Sequence, residues 1–522
     1  FYVAYFKPDN TDNEETVQLY EDNVLHCTRQ LHYSVFNENS IDIVLFLNGI
    51  PVVSMELKCQ FTGQTVYNAI NQYKFDRASK DTIFEFRNRV LVHFAVDLFE
   101  VHMTTRLNGE NTYFLPFNQG SNGSGNVGGA GNPLNPDGYQ TAYLWENVLR
   151  KDRLMEIIRK YMHLKKEEEK DEYGRVIETK ETLIFPRYHQ LDAVRKMVAD
   201  LRKNKAGLNY LIQHSAGSGK TNTIAWTAHR VASLYDENDD PIFDTVIVVT
   251  DRKVLDKQLQ DAVYQLDHKN GVVLKIDKDK SSKDLAKAIE NNIKIIITTI
   301  QKFPYALGYI EKLEQRKYAV IIDEAHSSTS GENMNKLKET LAGKTLEEAA
   351  KEQEEIEKNE KSSMDKMTEL IAKRTGLKNI SFFAFTATPK NKTMQIFGRK
   401  GEDNLPHEFH LYSMKQAIEE GFILDVLKNY MPVNVYYKIG KKIEDNPEFD
   451  KGEAKRAINK FVSLNEYNIR TKSETIVEDF MNNRSMWIEG DAKAMVVTAS
   501  RLHAVRYKLA IDKYIKEKGY NI

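Results

Sequence analysis

One stretch, Leu211–Ala225 (LIQHSAGSGKTNTIA), constrains the fold more than any other. It reads as an apolar strand, a glycine-rich turn and the start of a helix. Gly217 and Gly219 let the main chain curl around phosphate oxygens, because no Cβ stands in the way. The N–H groups around Ser218 and the N-terminus of the following helix then face the anion. Lys220 is placed to reach the β- and γ-phosphates of ATP, and the Thr221 hydroxyl to ligate Mg²⁺. His214 stands where the full G-x-x-x-x-G-K-[ST] pattern has its first glycine, so other motifs must decide the assignment.

A P-loop of this kind belongs on a parallel sheet, and the chain supplies one. Apolar runs at Tyr210–Ile212, Thr245–Thr250, Ile293–Thr299, Ala319–Asp323 and Ile380–Thr388 alternate with amphipathic helices. Continuous apolar strands suit a sheet buried on both faces. Residues 1–115 look α/β on a different pattern. Ile41–Leu47 and Pro51–Leu57 flank Asn48-Gly49, a strong hairpin signal, and a helix-like segment, Gln64–Arg77, follows. Strands are expected again at Arg89–Val96 and Glu100–Thr105. The glycine-rich run 119–138 reads as a long flexible loop, and Ala142–Leu164 as helix. The charge run Lys165–Glu172 reads as a solvated linker or helix face, with a domain boundary beside it. A charged helical insertion is expected near 333–376, exposed or bound to a partner. A second α/β unit begins after Tyr430, with Ala494–Ser500 its first clear strand.

The fold class expected is therefore α/β with three parts. They are an α/β amino-terminal domain (1–164), a RecA-like parallel-sheet domain that carries the P-loop (165–430) and the start of a second RecA-like domain (431–522). The chain opens on Phe1, and both ends are expected to be cut from a larger protein.

Further polar residues fall at strand ends in a meaningful order. Asp323-Glu324-Ala325-His326 closes an apolar strand about one hundred residues after the P-loop. Asp323 there is the expected Mg²⁺ partner, and Glu324 orients and activates the attacking water. Gln190, ahead of the P-loop, has an amide suited to an adenine edge. Arg252 and Thr299 lie beyond strand ends and suit phosphate-backbone contacts. Thr386 and Thr388 could couple the nucleotide state to DNA. Net charge does not announce a nucleic-acid partner, since it is −1 at pH 7. Only two cysteines, Cys27 and Cys59, argue against a disulfide framework and fit a reducing cytoplasm. No stretch reaches the ~18 apolar residues of a membrane span.

A second constellation precedes the motor. Asp42 opens one hairpin strand, and Glu56-Leu57-Lys58 closes its partner. Two carboxylates can hold a hard divalent ion, Mg²⁺, and Lys58 can orient a water and offset phosphate charge. Alone, this pattern is as readily a surface salt bridge. His26, Cys27 and His32 lack a fourth metal ligand and read as structural; Cys59 reads as a small core residue.

The series Gln190, GSGKT, DEAH and Thr386-Ala387-Thr388 resembles a superfamily 2 helicase or translocase. Thr498–Ser500, followed by Arg501, is similar to that superfamily's fourth motif. The run IDIVLFLNGIPVVSMELK resembles the PD-(D/E)xK nuclease core. Together with FPRYHQLDAVRK, QHSAGSGKT, IIDEAHSS and QAIEEGFILDVL, this order resembles the restriction (R) subunit of type I restriction–modification enzymes. Type III subunits carry their nuclease after the motor. In the type I family a Q-x-x-x-Y motif often follows the nuclease lysine; here Tyr73 is present but Ala69 stands four before it, with Gln72 adjacent.

The resemblance implies a cytoplasmic subunit that joins methyltransferase and specificity subunits, pulls double-stranded DNA with ATP, and cuts unmethylated DNA away from the recognition site. It also places the family's remaining motor motifs further along the second lobe, so these 522 residues are expected to bind ATP better than they hydrolyse it. Two rivals stand beside this reading: a DNA translocase or remodeller whose amino-terminal domain only binds DNA, and an ATP-gated scaffold.

Overall fold

The computed structural model describes residues 2–10, 13–35, 37–171, 175–250, 255–266, 272–276, 282–300, 302–303, 315–324, 371, 378–425, 463–486 and 492–520. These fall in two compact units, a large one within Phe1–Ser327 and Met364–Leu424 and a small one within Asp425–Ile522.

The large unit holds two main sheets. The first has six strands in chain order, β1 (Leu25–His32), β2 (Ser40–Leu47), β3 (Ile50–Leu57), β4 (Val92–Val96), β5 (Val101–Thr104) and β6 (Leu115–Pro116). β2 and β3 pair antiparallel across the expected turn. Asn48 and Gly49 both have positive φ (49° and 84°), as a type I′ turn requires. β3 and β4 run parallel, linked through helix α2 (Val66–Asn71) and a π-helical turn, Gln72–Asp76. The crossover is possible because Val66, Ala69, Ile70 and Tyr73 all bury against the sheet. Helix α1 (Glu14–Glu21) precedes this sheet, and α3 (Lys151–Lys160) follows it.

Within the charge run expected as linker or helix face, Lys165–Lys170 is strand. His163–Lys170 (β7) pairs antiparallel with Val176–Ile184 (β8) in a two-stranded ribbon. In a strand alternate residues share a face, so the partner across the ladder decides which charges meet. In the ribbon Lys166 faces Glu181 at 3.0 Å, and Glu167 faces Lys180 across the ladder. The helix expected over Ala142–Leu164 is also shorter, a π turn (Leu144–Val148) followed by α3.

The second sheet is the motor sheet. Helix α4 (Tyr188–Asn204) leads into β9 (Tyr210–His214), and α5 (Lys220–Ala232) follows it. Then come β10 (Thr245–Thr250), α6 (Leu255–Gln265), β11 (Val273–Lys275), α7 (Ser282–Glu290), β12 (Ile295–Thr299), β13 (Tyr318–Ile322) and β14 (Ile380–Thr386). Helix α8 (Asn391–Phe397), a small ribbon of β15 (Arg399–Lys400) and β16 (Pro406–His407), β17 (His410–Tyr412) and α9 (Met414–Glu419) complete it. The strand order is β11-β12-β10-β13-β14-β9-β17, and every pairing is parallel. β10, β13 and β14 are buried along their whole length, as their continuous apolar runs predict. Each such Val, Ile or Phe contributes roughly 1.5–3 kcal/mol by burial.

The two sheets share a hydrophobic core. Phe94 and Phe117 of the first stack edge-on with Phe185 and Tyr188, and the same cluster runs on to Trp226 and Phe383 of the second. Glu156 on α3 ties the parts electrostatically. It accepts from Arg230 of α5 and from Arg195 of α4, at 3.1 Å for the latter, and these guanidiniums hold its carboxyl below the usual range against burial.

Residues 119–138 form a folded strap rather than a flexible loop. It closes on itself through Gly120 N–H to Gly131 C=O (2.7 Å) and Ser121 N–H to Gly129 C=O (2.9 Å). It then docks on the far edge of the motor sheet. Gly125 bridges Leu411 of β17, Ser413 Oγ donates to Gly128 C=O, and Ala130 N–H donates to Glu419. A Cβ on Gly129 would lie 2.1 Å from Glu419 Oε2, so the glycines here permit close approach. Composition alone does not separate that use from flexibility.

In the small unit, α10 (Glu466–Asp479) packs beside α11 (Arg501–Lys518). The strand expected at Ala494–Ser500 is absent. No described segment offers it a ladder, and Met495 and Val497 are exposed. Ser500 instead caps α11, accepting from the His503 N–H. The expected insertion at 333–376 lies outside the described residues, save Ile371. Among the described residues no helix is long and apolar enough to cross a membrane.

Candidate functional sites

All strands of the motor sheet are parallel, so their carboxyl ends gather along one edge. Thr299 ends β12, Thr386 ends β14, Asp323 and Glu324 follow β13, and the P-loop follows β9. Ligands bind α/β sheets in this position. Gly217 and Gly219 have φ of 72° and 76°, a region glycine enters freely. Lys220 opens α5 directly after them, with Thr221 next. Lys220 Nζ lies 3.4 Å from the His214 carbonyl and 3.8 Å from Glu324 Oε1, which joins the P-loop to the DEAH segment. Glu324 has φ of 52°, unusual for a residue with a side chain, and such backbone strain concentrates at functional sites. Ser218 Oγ is buried without a hydrogen-bond partner. A Cβ at Gly219 would lie 2.5 Å from Gln190 Nε2. These features fit a phosphate cradle.

The Gln190 amide does not present itself to a base. It is buried, and Nε2 donates to the Ser218 and Gly219 carbonyls (3.1 and 3.0 Å) while Oε1 accepts from Arg187 N–H. It braces the outer side of the loop. Arg187, which sequence reasoning missed, does the same at the apex. Its Nη1 donates to Gly217 C=O (3.0 Å) and its Nη2 to Tyr412 Oη (2.8 Å). Tyr412 Oη donates in turn to Glu420, and the guanidinium lies 3.4 Å over the Phe422 ring. The segments FPRYHQ and QAIEEGF thus meet at the P-loop. Only their shared neighbour in space reveals this, since more than two hundred positions separate Arg187 from Tyr412.

His214, the departure from the P-loop pattern, has a structural role. Asp192 Oδ2 must accept from His410 Nε2–H (3.0 Å), which leaves His410 Nδ1 as an acceptor. His214 Nε2–H therefore donates to it, at 2.9 Å. His214 Nδ1 is then a buried acceptor with no partner. Burial and the neighbouring Lys220 and Arg187 hold His214 well below the usual histidine range. His189, stacked on Tyr412 at 3.8 Å and donating to Ser218 C=O, is depressed for the same reason.

Of the other residues named from sequence, Thr386 is buried, Thr388 is exposed, and Arg501 begins α11 in the small unit. Arg252, with Ala325 and His326 of the DEAH segment, lies outside the described residues.

At the first sheet, Asp42 and Glu56 sit on neighbouring strands, one step beyond the Ile43–Met55 pair. Asp42 is half-buried. Its Oδ2 accepts from Leu57 N–H and its Oδ1 from Gln30 Nε2, both at 2.8 Å. Gln30 has φ of 49° inside β1, and Ser40 Oγ donates to its amide oxygen. Glu56 is fully buried. Burial raises its pKa to about 7, against the lowering pull of Arg77 and Lys58. Glu56 Oε1 accepts from Arg77 Nε (2.8 Å) and lies 2.7 Å from Nη2 in an ion pair, while Oε2 is buried with no partner. Lys58 follows the strand, half-buried, its N–H bound to Val96 C=O. Behind Glu56, Ser54 Oγ bonds both Tyr73 Oη (2.8 Å) and His93 Nδ1 (2.7 Å). Two carboxylates, one with an orphaned buried oxygen, form a hard donor set that fits a divalent cation. Cys59 is half-buried rather than core, and Cys27 is exposed.

Comparison with known proteins gives the same order of parts. Residues 2–119 match the family described as type I restriction enzyme R protein N terminus, and residues 189–455 match the SWI2/SNF2 ATPase family. A Methanocaldococcus jannaschii protein named for the type I restriction enzyme MjaVIIIP endonuclease subunit is 25% identical over 96% of this chain and 46% of its own length. The Staphylococcus aureus (strain COL) type I restriction enzyme SauCOLORF180P endonuclease subunit is 22% identical over 92% and 43%. The chain thus spans less than half the length of these relatives. A solved fragment of an HsdR subunit from Vibrio vulnificus YJ016 covers 94% of this chain and 70% of its own, at 12% identity and a TM-score of 0.35. With a restriction-type amino-terminal region ahead of a SWI2/SNF2 ATPase region that covers half of it, the chain belongs to the R-subunit family of type I restriction enzymes.

Proposed function

We propose that this chain supplies the motor and the nuclease of a type I restriction enzyme. It draws on ATP to move double-stranded DNA and cleaves unmethylated DNA away from the recognition site, in assembly with methyltransferase and specificity subunits. One observation carries this reading. A P-loop facing an acidic strand end, and a D…E-x-K cluster, sit on two sheets that share one hydrophobic core.

At the motor, Gly217 to Gly219 cradle phosphates with backbone N–H groups, Lys220 offsets their charge, and Thr221 and Asp323 hold Mg²⁺. Glu324, opposite Lys220, orients the attacking water. Gln190 and Arg187 keep the loop open by occupying its outward carbonyls. Thr299, Thr386 and Thr388, with Arg252 and Arg501, contact DNA or couple it to the nucleotide. At the nuclease, Asp42 and Glu56 hold the metal, and Lys58 orients a water and faces the scissile phosphate. A divalent ion there supplies Lewis-acid charge and lowers the pKa of a bound water. The domain limits that follow are 1–164 for the nuclease and 165–430 for the first motor domain.

The test is cleavage of an unmethylated plasmid by the assembled enzyme, with ATP turnover recorded beside it. Lys58→Ala should abolish cleavage and keep DNA-dependent ATP turnover; Lys220→Ala should abolish both. Cleavage surviving Lys58→Ala favours a translocase with a DNA-binding amino-terminal domain. Turnover surviving Lys220→Ala leaves only a scaffold.

A further inference from the structure

Arg77 was not singled out by any sequence motif, yet its guanidinium spans the two strands that carry the nuclease carboxylates. It leaves the π-helical turn Gln72–Asp76, a rare geometry often found at functional sites. Its Nε donates to Glu56 Oε1 at 2.8 Å, and its Nη2, in an ion pair with the same oxygen at 2.7 Å, donates to Ser40 C=O at 2.7 Å, two residues before Asp42. Its side chain is 4% exposed and that of Glu56 0%. Tyr33 closes over it, with the ring centroid 5.7 Å from the guanidinium carbon.

Stability does not call for such a pair. Burying two charges costs several kcal/mol for each ion, and well-packed apolar residues usually do as well or better. The fork is also one-sided. Both nitrogens approach Oε1, one as its hydrogen-bond donor and one as its ion-pair partner, and Oε2 is left buried without a partner. A pair built for stability would share its donors over both oxygens, as arginine–carboxylate pairs commonly do. Here one oxygen is pinned and the other withheld, while the same guanidinium fixes β2 beside β3. On the outer side Gln30 does the corresponding work for Asp42, bridging it to Ser40.

We propose that Arg77 is a positioning residue of the nuclease: it clamps Glu56 Oε1 and the Ser40 carbonyl so that Glu56 Oε2 and the Asp42 carboxylate are presented together to one divalent cation. This rests on the assignment of Asp42 and Glu56 as metal ligands. Supporting residues of this sort set metal affinity by about 10–100-fold when removed.

The experiment uses the full-length subunit, first alone and without nucleotide for Mn²⁺ binding followed by electron paramagnetic resonance. It then uses the assembled enzyme for plasmid cleavage as a function of Mn²⁺. Glu56→Ala is the control for the nuclease reading. It should remove the Mn²⁺ site and cleavage together; if both persist, that reading fails and the role of Arg77 fails with it. Arg77→Gln should raise half-saturating Mn²⁺ at least about tenfold in both assays, with maximal cleavage recovered to within about threefold at high Mn²⁺. Arg77→Lys, which keeps the charge and loses the fork, should fall between. ATP turnover should be unchanged in both. If Glu56→Ala behaves as expected but the Arg77 variants bind Mn²⁺ like wild type, the proposal is overturned. It is equally overturned if they lose maximal cleavage without any shift in half-saturation, since that marks a purely structural role. Should Arg77→Gln not fold, Arg77→Lys decides by the same criteria.

Discussion

Acidification should destabilise the motor sheet through His189 and His214, and His214→Gln isolates one share of that effect. Both rings are fully buried and neutral, held well below the ordinary histidine pKa of 6.5. Above pH 6.5 neither the folded nor the unfolded chain binds a proton there, so these groups leave stability untouched. Below it the unfolded chain takes up a proton that the folded chain refuses, and stability falls with falling pH. At pH 5.0 the gap is about 1.5 pH units, or about 2 kcal/mol for each histidine. The folded state cannot evade this loss at His214. Its Nε2–H is committed to His410, and a proton added at Nδ1 would meet no acceptor. A glutamine can still donate to His410 Nδ1 but does not titrate. The assay is urea unfolding at pH 7.5 and 5.0, followed by the emission of buried Trp226 with Trp145 and Trp487 changed to phenylalanine. Wild type should lose about 2 kcal/mol more than His214→Gln on going to pH 5.0. Equal losses in the two proteins would refute the reasoning, because His214 would then be protonated or hydrated in the folded state.

Two further outcomes follow from contacts around the same unit. Gly219→Ala places a Cβ 2.5 Å from Gln190 Nε2 in a left-handed backbone, so it should strain the loop by about 1–3 kcal/mol. Binding of a fluorescent ATP analogue should weaken about tenfold or more, and unchanged affinity would contradict the bracing role of Gln190. Glu156→Ala leaves Arg230 buried beside Arg195 without their carboxylate and should cost about 3–5 kcal/mol. Hydrogen exchange in α3 and α5 reads it. A loss below about 1 kcal/mol would show that the link between these parts is carried by the apolar core alone.

The sequence determined what depends on near neighbours. The motor strands are visible because a sheet buried on both faces demands apolar residues without interruption, and β10, β13 and β14 supply them. The P-loop, DEAH and E-x-K residues are visible because each function needs particular residue types a few positions apart. The order of these motifs was enough to indicate the family. Tertiary structure decided whatever depends on distant segments meeting. The glycines of 119–138 permit either flexibility or tight docking, and only the nearby edge of β17 and α9 selects docking. Lys165–Lys170 forms a strand because β8 offers a complementary ladder, whereas Ala494–Ser500, equally strand-like in composition, has no described neighbour and stays unpaired. His214 looked like a flaw in a motif until His410 and Asp192, from other elements, gave its ring a partner. Near neighbours in sequence assign no role to Arg77 or Arg187. A buried guanidinium takes its meaning from the carboxylates and carbonyls around it, and the fold brings those from far along the chain.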